Sequence, residues 1–154
     1  MDFRIPVVQV TAQLHFPDGS VMSGTVFIPA SSPDHSGRMR VGEWLNSSEP
    51  FFPFQNPVSS TSVLINKSNI LSLSVVHEPD MDGFDEVQLV PQCKVRLFMS
   101  HSELEGGLIM EMPENRLRVL DVLNHEQPFL FLLEGEREVH VNKNFIFRVT
   151  EIKE

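Results

Sequence analysis

The chain has no tyrosine, one cysteine and one tryptophan in 154 residues. One cysteine, Cys93, excludes an intrachain disulfide. It sits in the strand-like run "VPQCKVRLF", where a thiol behaves as a small buried hydrophobe. Basic residues are also scarce: 12 Lys and Arg stand against 21 Asp and Glu, a formal charge of −9. Nucleic-acid binding draws much of its affinity from phosphate neutralisation. The basic residues are scattered, so this balance argues against nucleic acid and against an anionic membrane surface. No apolar run approaches the roughly 20 residues of a membrane span, so membrane insertion is excluded as an expectation. The opening "MDFRIPVVQV" lacks the apolar stretch of a signal peptide. A soluble, acidic, cytoplasmic protein is therefore expected.

What is abundant is phenylalanine, 12 residues in all. Phe supplies buried area without a hydroxyl that needs a partner. A hydrophobic content of 41% is enough for a packed core, and 21% charge is ordinary for a globular chain.

The most informative feature is a repeated phrase. "RMRVGEWLN" from Arg38 returns as "RLRVLDVLN" from Arg116. The columns that follow keep Pro50 and Phe51 against Pro128 and Phe129, and "VLINKSNI" from Val63 meets "VHVNKNFI" from Val139. That is eleven identities in twenty-five columns, where chance would give roughly two. Fainter pairs precede them: Leu14 with Leu97, Gly24 with Gly107, Pro29 with Pro113. The pattern predicts an internal duplication. The acidic segment "HEPDMDGFDE" breaks it, giving a first unit over 1–77, an acidic linker over 78–86 and a second unit over 87–154.

Each unit reads in one order. Two strands come first, joined in the first unit by Asp18-Gly19, a hairpin signal in which glycine supplies positive φ. Gly24 and Gly107 fall in mid-strand, where glycine marks a bulge or bend. A short helix follows, with Val41, Trp44 and Leu45 spaced like Val119, Val122 and Leu123. Asn46 and Asn124 would stop it in a left-handed conformation. A third strand is "FFPF" or "PFLFLL". Two more strands should form a tight hairpin at Asn66-Lys67 and at Asn142-Lys143, and "ILSLSVV" alternates as a half-buried strand should.

The fold expected is mainly β: two tandem five-stranded barrels, each with one short helix between its second and third strands. The sequence of turn glycine, strand glycine and "INK..I" resembles the Sm-like, SH3-like small barrels. The matching positions are Gly19, Gly24 and Asn66 to Ile70, then Gly107 and Asn142 to Ile146. That resemblance implies RNA contacts at Asn66, Lys67, Asn142 and Lys143.

Phe51, Phe52 and Phe54 place aromatics on both faces of their strand, as Phe129 and Phe131 do with their leucine neighbours. One face fills the core and the other must be covered, by the other unit, by a partner protein or by a second copy. Trp44, Phe51, Phe52, Phe129 and Phe131 are therefore the partner-binding candidates. Arg38, Arg40, Lys67, Arg116, Arg118 and Lys143 are candidates for an anion or ligand, since arginine forks around phosphate or carboxylate; pairing of the arginines with Glu43, Asp121 or the other unit competes with that role. A cyclic-dinucleotide site of the PilZ kind is excluded, because "DGSVMSG" has its glycine one place late and lacks the upstream arginine pair. The six histidines show no metal-ligand spacing and none recurs at matched positions. No nucleophile, phosphate loop or paired catalytic carboxylates appear, and no cofactor is expected. The function expected is a non-enzymatic protein-interaction or assembly module, with a protein partner or homo-oligomer. The alternative is an Sm-like protein binding nucleic acid or a small anionic ligand.

Overall fold

The computed structural model describes residues 6–34, 37–78, 86–111 and 118–153, with nothing said of the side chains of 86 and 88. Among the described residues, ten strands and two short helices follow the order read from the sequence. They are β1 (Val7–His15), β2 (Val21–Pro29), α1 (Val41–Leu45), β3 (Phe51–Gln55), β4 (Ser62–Asn66) and β5 (Ser72–Val76), then β6 (Gln92–Met99), β7 (Ser102–Ile109), α2 (Val119–Leu123), β8 (Phe129–Glu134), β9 (Arg137–Asn142) and β10 (Ile146–Glu151). Of the acidic linker, 79–85 lie outside the described residues.

All ten strands join one antiparallel sheet in the order β10-β6-β7-β8-β9-β5-β1-β2-β3-β4. Its two runs of five follow the same internal order, fifth strand, first, second, third, fourth. The expected closed barrels do not form: the sheet is open, with β4 at one end and β10 at the other. The physical reason lies at the Asn-Lys corners. Lys67–Asn69 and Lys143–Phe145 are single 3-10 turns, entered by Asn66 at φ −83°, ψ 116° and by Asn142 at φ −71°, ψ 118°. Each turn carries the chain round a corner. β4 and β5 therefore do not make the expected hairpin, nor do β9 and β10. β5 pairs instead with β1 and with β9 of the other half, and β10 pairs with β6.

Local chemistry explains the rest. In the β1–β2 hairpin Gly19 sits at φ 90°, and the Asp18 carboxylate accepts from the Ser20 amide at 2.8 Å. Gly24 lets the third strand press against the second: a Cβ there would stand 2.5 Å from the carbonyl oxygen of Gln55. In the second half the equivalent close approach is at Gly106, whose Cβ would meet Leu133 O at 2.8 Å. Register agrees, since Thr25 faces Gln55 as Gly107 faces Leu133. The partner of Gly24 is therefore Gly106, one residue from the position the sequence alignment chose.

Two hydrophobic clusters result. One gathers Leu14, Val26, Leu45, Phe54, Ile70 and Leu73, and the other Val95, Leu97, Leu108, Leu130, Leu132 and Val141. β5 does not alternate as read: Ser72, Leu73, Ser74 and Val75 are all buried, because the strand lies in mid-sheet between β1 and β9. Cys93 is half-buried rather than buried, and its Sγ lies 3.5 Å from a Glu151 carboxylate oxygen. Burial and that carboxylate push the thiol above its ordinary pKa, which leaves it a poor nucleophile.

Candidate interaction surface

The third strands decide how the two halves meet. β3 alternates cleanly: Phe52 and Phe54 are buried in the first core, while Phe51 and Pro53 face outward. Phe51 is 51% exposed. On the neighbouring edge strand β4, Leu64 faces Pro53 in register and is 72% exposed. The matching outward face in the second half is Phe129 and Phe131 on β8 and His140 on β9. Here the cover is present. Phe129 is 3% exposed and belongs to the first half's core, and His140 is 1% exposed. The bland expectation, that one half covers the other, thus holds for β8 and not for β3.

Four devices make that junction. First, β5 pairs with β9 over five residues, from Ser72 opposite Val141 to Val76 opposite Arg137. Second, Asn46 at the end of α1 grips the backbone of Phe129: its Oδ1 accepts from the Phe129 amide at 2.9 Å and its Nδ2 approaches the carbonyl at 3.5 Å. Third, Asn142 Nδ2 donates to the carbonyls of Ile70 at 3.0 Å and Ser68 at 3.2 Å, with Lys67 O at 3.5 Å. Fourth, α1 lies on the His140 ring, so closely that a Cβ on Gly42 would be 3.3 Å from its Cε1. Phe131 also packs against that ring, tilted, with centroids 4.8 Å apart.

The asparagines were expected to supply left-handed backbone and do not. Asn46 and Asn124 have φ −85° and −89°. The Asn46 side chain carries the structural role instead, as do those of Asn66 and Asn142, which cap the 3-10 turns, while the Asn124 side chain has no partner among the described residues. The four asparagines recur as pairs in the repeat, but only Asn46 and Asn142 find partners in the other half, which no local pattern announces.

A half-buried acid also belongs to the junction. Glu138 bridges two histidines, its Oε2 2.6 Å from His77 Nδ1 and its Oε1 3.0 Å from His140 Nε2. Burial pushes its pKa up, but the hydrogen bonds and charge interactions with His140 and His77 outweigh this and hold it below the ordinary glutamate value. Next to the bridge is a cavity of about 370 Å³, bordered by Val8, Val75 and Phe131 and by Arg40, His77 and Glu138.

The remaining candidates fall as follows. Trp44 is 8% exposed and meets Phe52 edge-on at 4.9 Å, so it is a core residue of the helix rather than a displayed one. Lys67 is buried; its Nζ donates to Trp44 O at 3.1 Å and Ser47 Oγ at 3.0 Å, closing the end of α1. Lys143 Nζ does the same for α2 through the carbonyls of Leu123 and His125. Burial lowers the pKa of both lysines. Arg38 donates to Glu78 O at 2.7 Å, and Arg40 pairs with Glu111 of the second half at 3.0 Å. Both arginines border the cavity. Arg118 forks onto Asp121 at 2.9 and 3.0 Å. Arg116 lies outside the described residues. The structure thus brings Arg38 and Arg40 together and leaves the two lysines and Arg118 apart from them.

Comparison with protein-family models, with curated proteins and with solved structures finds no match. Among the described residues no helix is long and apolar enough to cross a membrane, and no group of three or more His, Cys, Asp or Glu could hold a metal ion.

Proposed function

We propose that the chain is a non-enzymatic protein-interaction or assembly module, made of two copies of one small five-stranded unit that arose by internal duplication. Each unit has the strand order of a small SH3-like or Sm-like barrel, opened along the seam between its fourth and fifth strands, with its short helix between the second and third strands. The observation that carries this reading is the contrast between equivalent faces. Phe129 and His140 are covered by the first half at 3% and 1% exposure, whereas Phe51 and Leu64 on the matching face stand at 51% and 72%. Covering one such aromatic is worth roughly 1.5–3 kcal/mol, and contiguous apolar surface of this kind marks interaction sites.

The binding face is then the outward side of β3 and β4, centred on Phe51 and Leu64. Phe52 and Trp44 support it from the core side. The test is quantitative cross-linking and affinity capture with the wild-type chain and with Phe51→Ser, a change at a half-exposed site. Partners retained by the wild type should be lost from the variant while its thermal unfolding stays cooperative. Equal recovery on both would remove this face from the function.

A second reading, binding of a small anionic ligand, draws support from Arg38 and Arg40 at the cavity mouth. Its signature is affinity that falls steeply as salt rises and that Arg38→Ala weakens. Against it, Glu78 and Glu138 border the same cavity.

A further inference from the structure

Resting on the interaction-module reading, we infer that the partner of the β3–β4 face is the α2–β10 end of a second copy of this chain, added head to tail by the same devices that join the two halves within one copy. Positions filled at the junction inside the chain have vacant counterparts at the two ends of the sheet. Inside the chain, the fifth strand of one half pairs with the fourth strand of the other. The strands at the two ends of the sheet are the remaining fourth strand, β4, and the remaining fifth strand, β10. Carrying the internal register over sets Arg148 opposite Ile65, Val149 opposite Leu64 and Thr150 opposite Val63 of the next copy. β4 reads "SVLIN", with none of the charges or prolines that usually blunt a sheet edge.

Each remaining device has its vacant counterpart. Asn46 holds the Phe129 backbone; Asn124, at the matching place after α2, is exposed and has no side-chain partner among the described residues. Its target would be the backbone of Phe51. Asn142 Nδ2 holds three carbonyls of the first Asn-Lys corner. Asn66 uses its Oδ1 to cap its own turn, and its Nδ2 has no partner among the described residues. Its targets would be the carbonyls of Lys143, Asn144 and Ile146. Gly42 sits against His140. At the vacant end these two positions are Leu120 and Leu64, exposed by 56% and 72%. The glycine–histidine contact becomes a leucine–leucine contact, so two of the apolar groups left in water would meet each other.

Such a contact is heterologous: each copy offers one face and uses the other. It closes into a ring if the rotation per copy divides a full turn, and extends otherwise.

Sedimentation of the full chain over a concentration series tests this, with Leu64→Lys disabling one end and Leu120→Lys the other. Both sites are exposed, so far-ultraviolet circular dichroism and melting should match the wild type. The wild type should form species of more than two chains. Each variant alone should be a monomer, its association weakened at least about a hundredfold by the lysine the contact would bury unpaired. An equimolar mixture should form a species of two chains and stop there, because it offers one intact pair of ends. Three results would overturn the inference: a monomeric wild type, association that survives in either variant, or a mixture that stays monomeric. A monomeric wild type that still retains a different protein through Phe51 would overturn self-assembly and leave the interaction module standing; one that retains nothing would remove both.

Discussion

Asn46 and Asn124 occupy the same place in the two halves, yet they should respond very differently to Asn→Ala. Asn46 accepts from the Phe129 amide at 2.9 Å, and Phe129 is 3% exposed. Truncation leaves the N–H of a buried residue without its side-chain acceptor. An orphaned buried amide costs about 1–3 kcal/mol. The 3.5 Å contact from Nδ2 to the Phe129 carbonyl adds little. Asn124 is exposed and its side chain has no partner among the described residues, so its truncation should stay within about 0.5 kcal/mol. For a domain of this size 1 kcal/mol moves the melting temperature by about 2–4 °C. Asn46→Ala should therefore melt roughly 2–12 °C below the wild type, and Asn124→Ala within about 2 °C of it. The measurement is thermal and urea unfolding on a Leu64→Lys background, which keeps the chain monomeric and removes any contribution from assembly. Equal losses in the two variants, or an unperturbed Asn46→Ala, would refute the reasoning that the repeat is structurally spent at one end and vacant at the other.

The third strands should divide in the same way. Phe129→Ser removes a core ring and should cost about 3–5 kcal/mol, whereas Phe51→Ser should cost about 1 kcal/mol; urea midpoints read both, and comparable values would contradict the burial contrast. The Glu138 bridge gives a pH dependence. Its carboxyl titrates below the ordinary value of 4.5, so the stability it contributes is fully present above about pH 4.5 and is lost as pH falls through its lower folded value. The wild type should lead Glu138→Gln in urea midpoint at pH 6–7, and the lead should shrink below about pH 4. A lead that grows in acid would show that the carboxylate is not held by its histidine partners.

The element order was legible from residues alone because its signals are local. Asp18-Gly19 fixes a hairpin through backbone freedom at one position, and Val41, Trp44 and Leu45 mark a helix by spacing. Short runs rich in β-branched and aromatic residues between turn signals mark strands, and the repeated phrase led to the expectation that the second half follows the element order of the first. The composition, acidic and without a basic cluster, likewise follows from counting. What the sequence could not determine is which strands meet. Asn66-Lys67 is a sharp turn in either reading, but whether it returns β5 to β4 or sends it to β1 and β9 depends on the corner that the 3-10 turn makes and on the seam awaiting it. The aromatic faces of "FFPF" and "PFLFLL" announce equal need for cover. Only tertiary structure covers one and exposes the other, because one junction joins two units and leaves one copy of each surface over. Asn46, Asn142 and Glu138 took their roles from groups more than sixty residues distant in sequence. Such partners have no local signature, since hydrogen bonds and burial are set by distance in space and not by spacing along the chain.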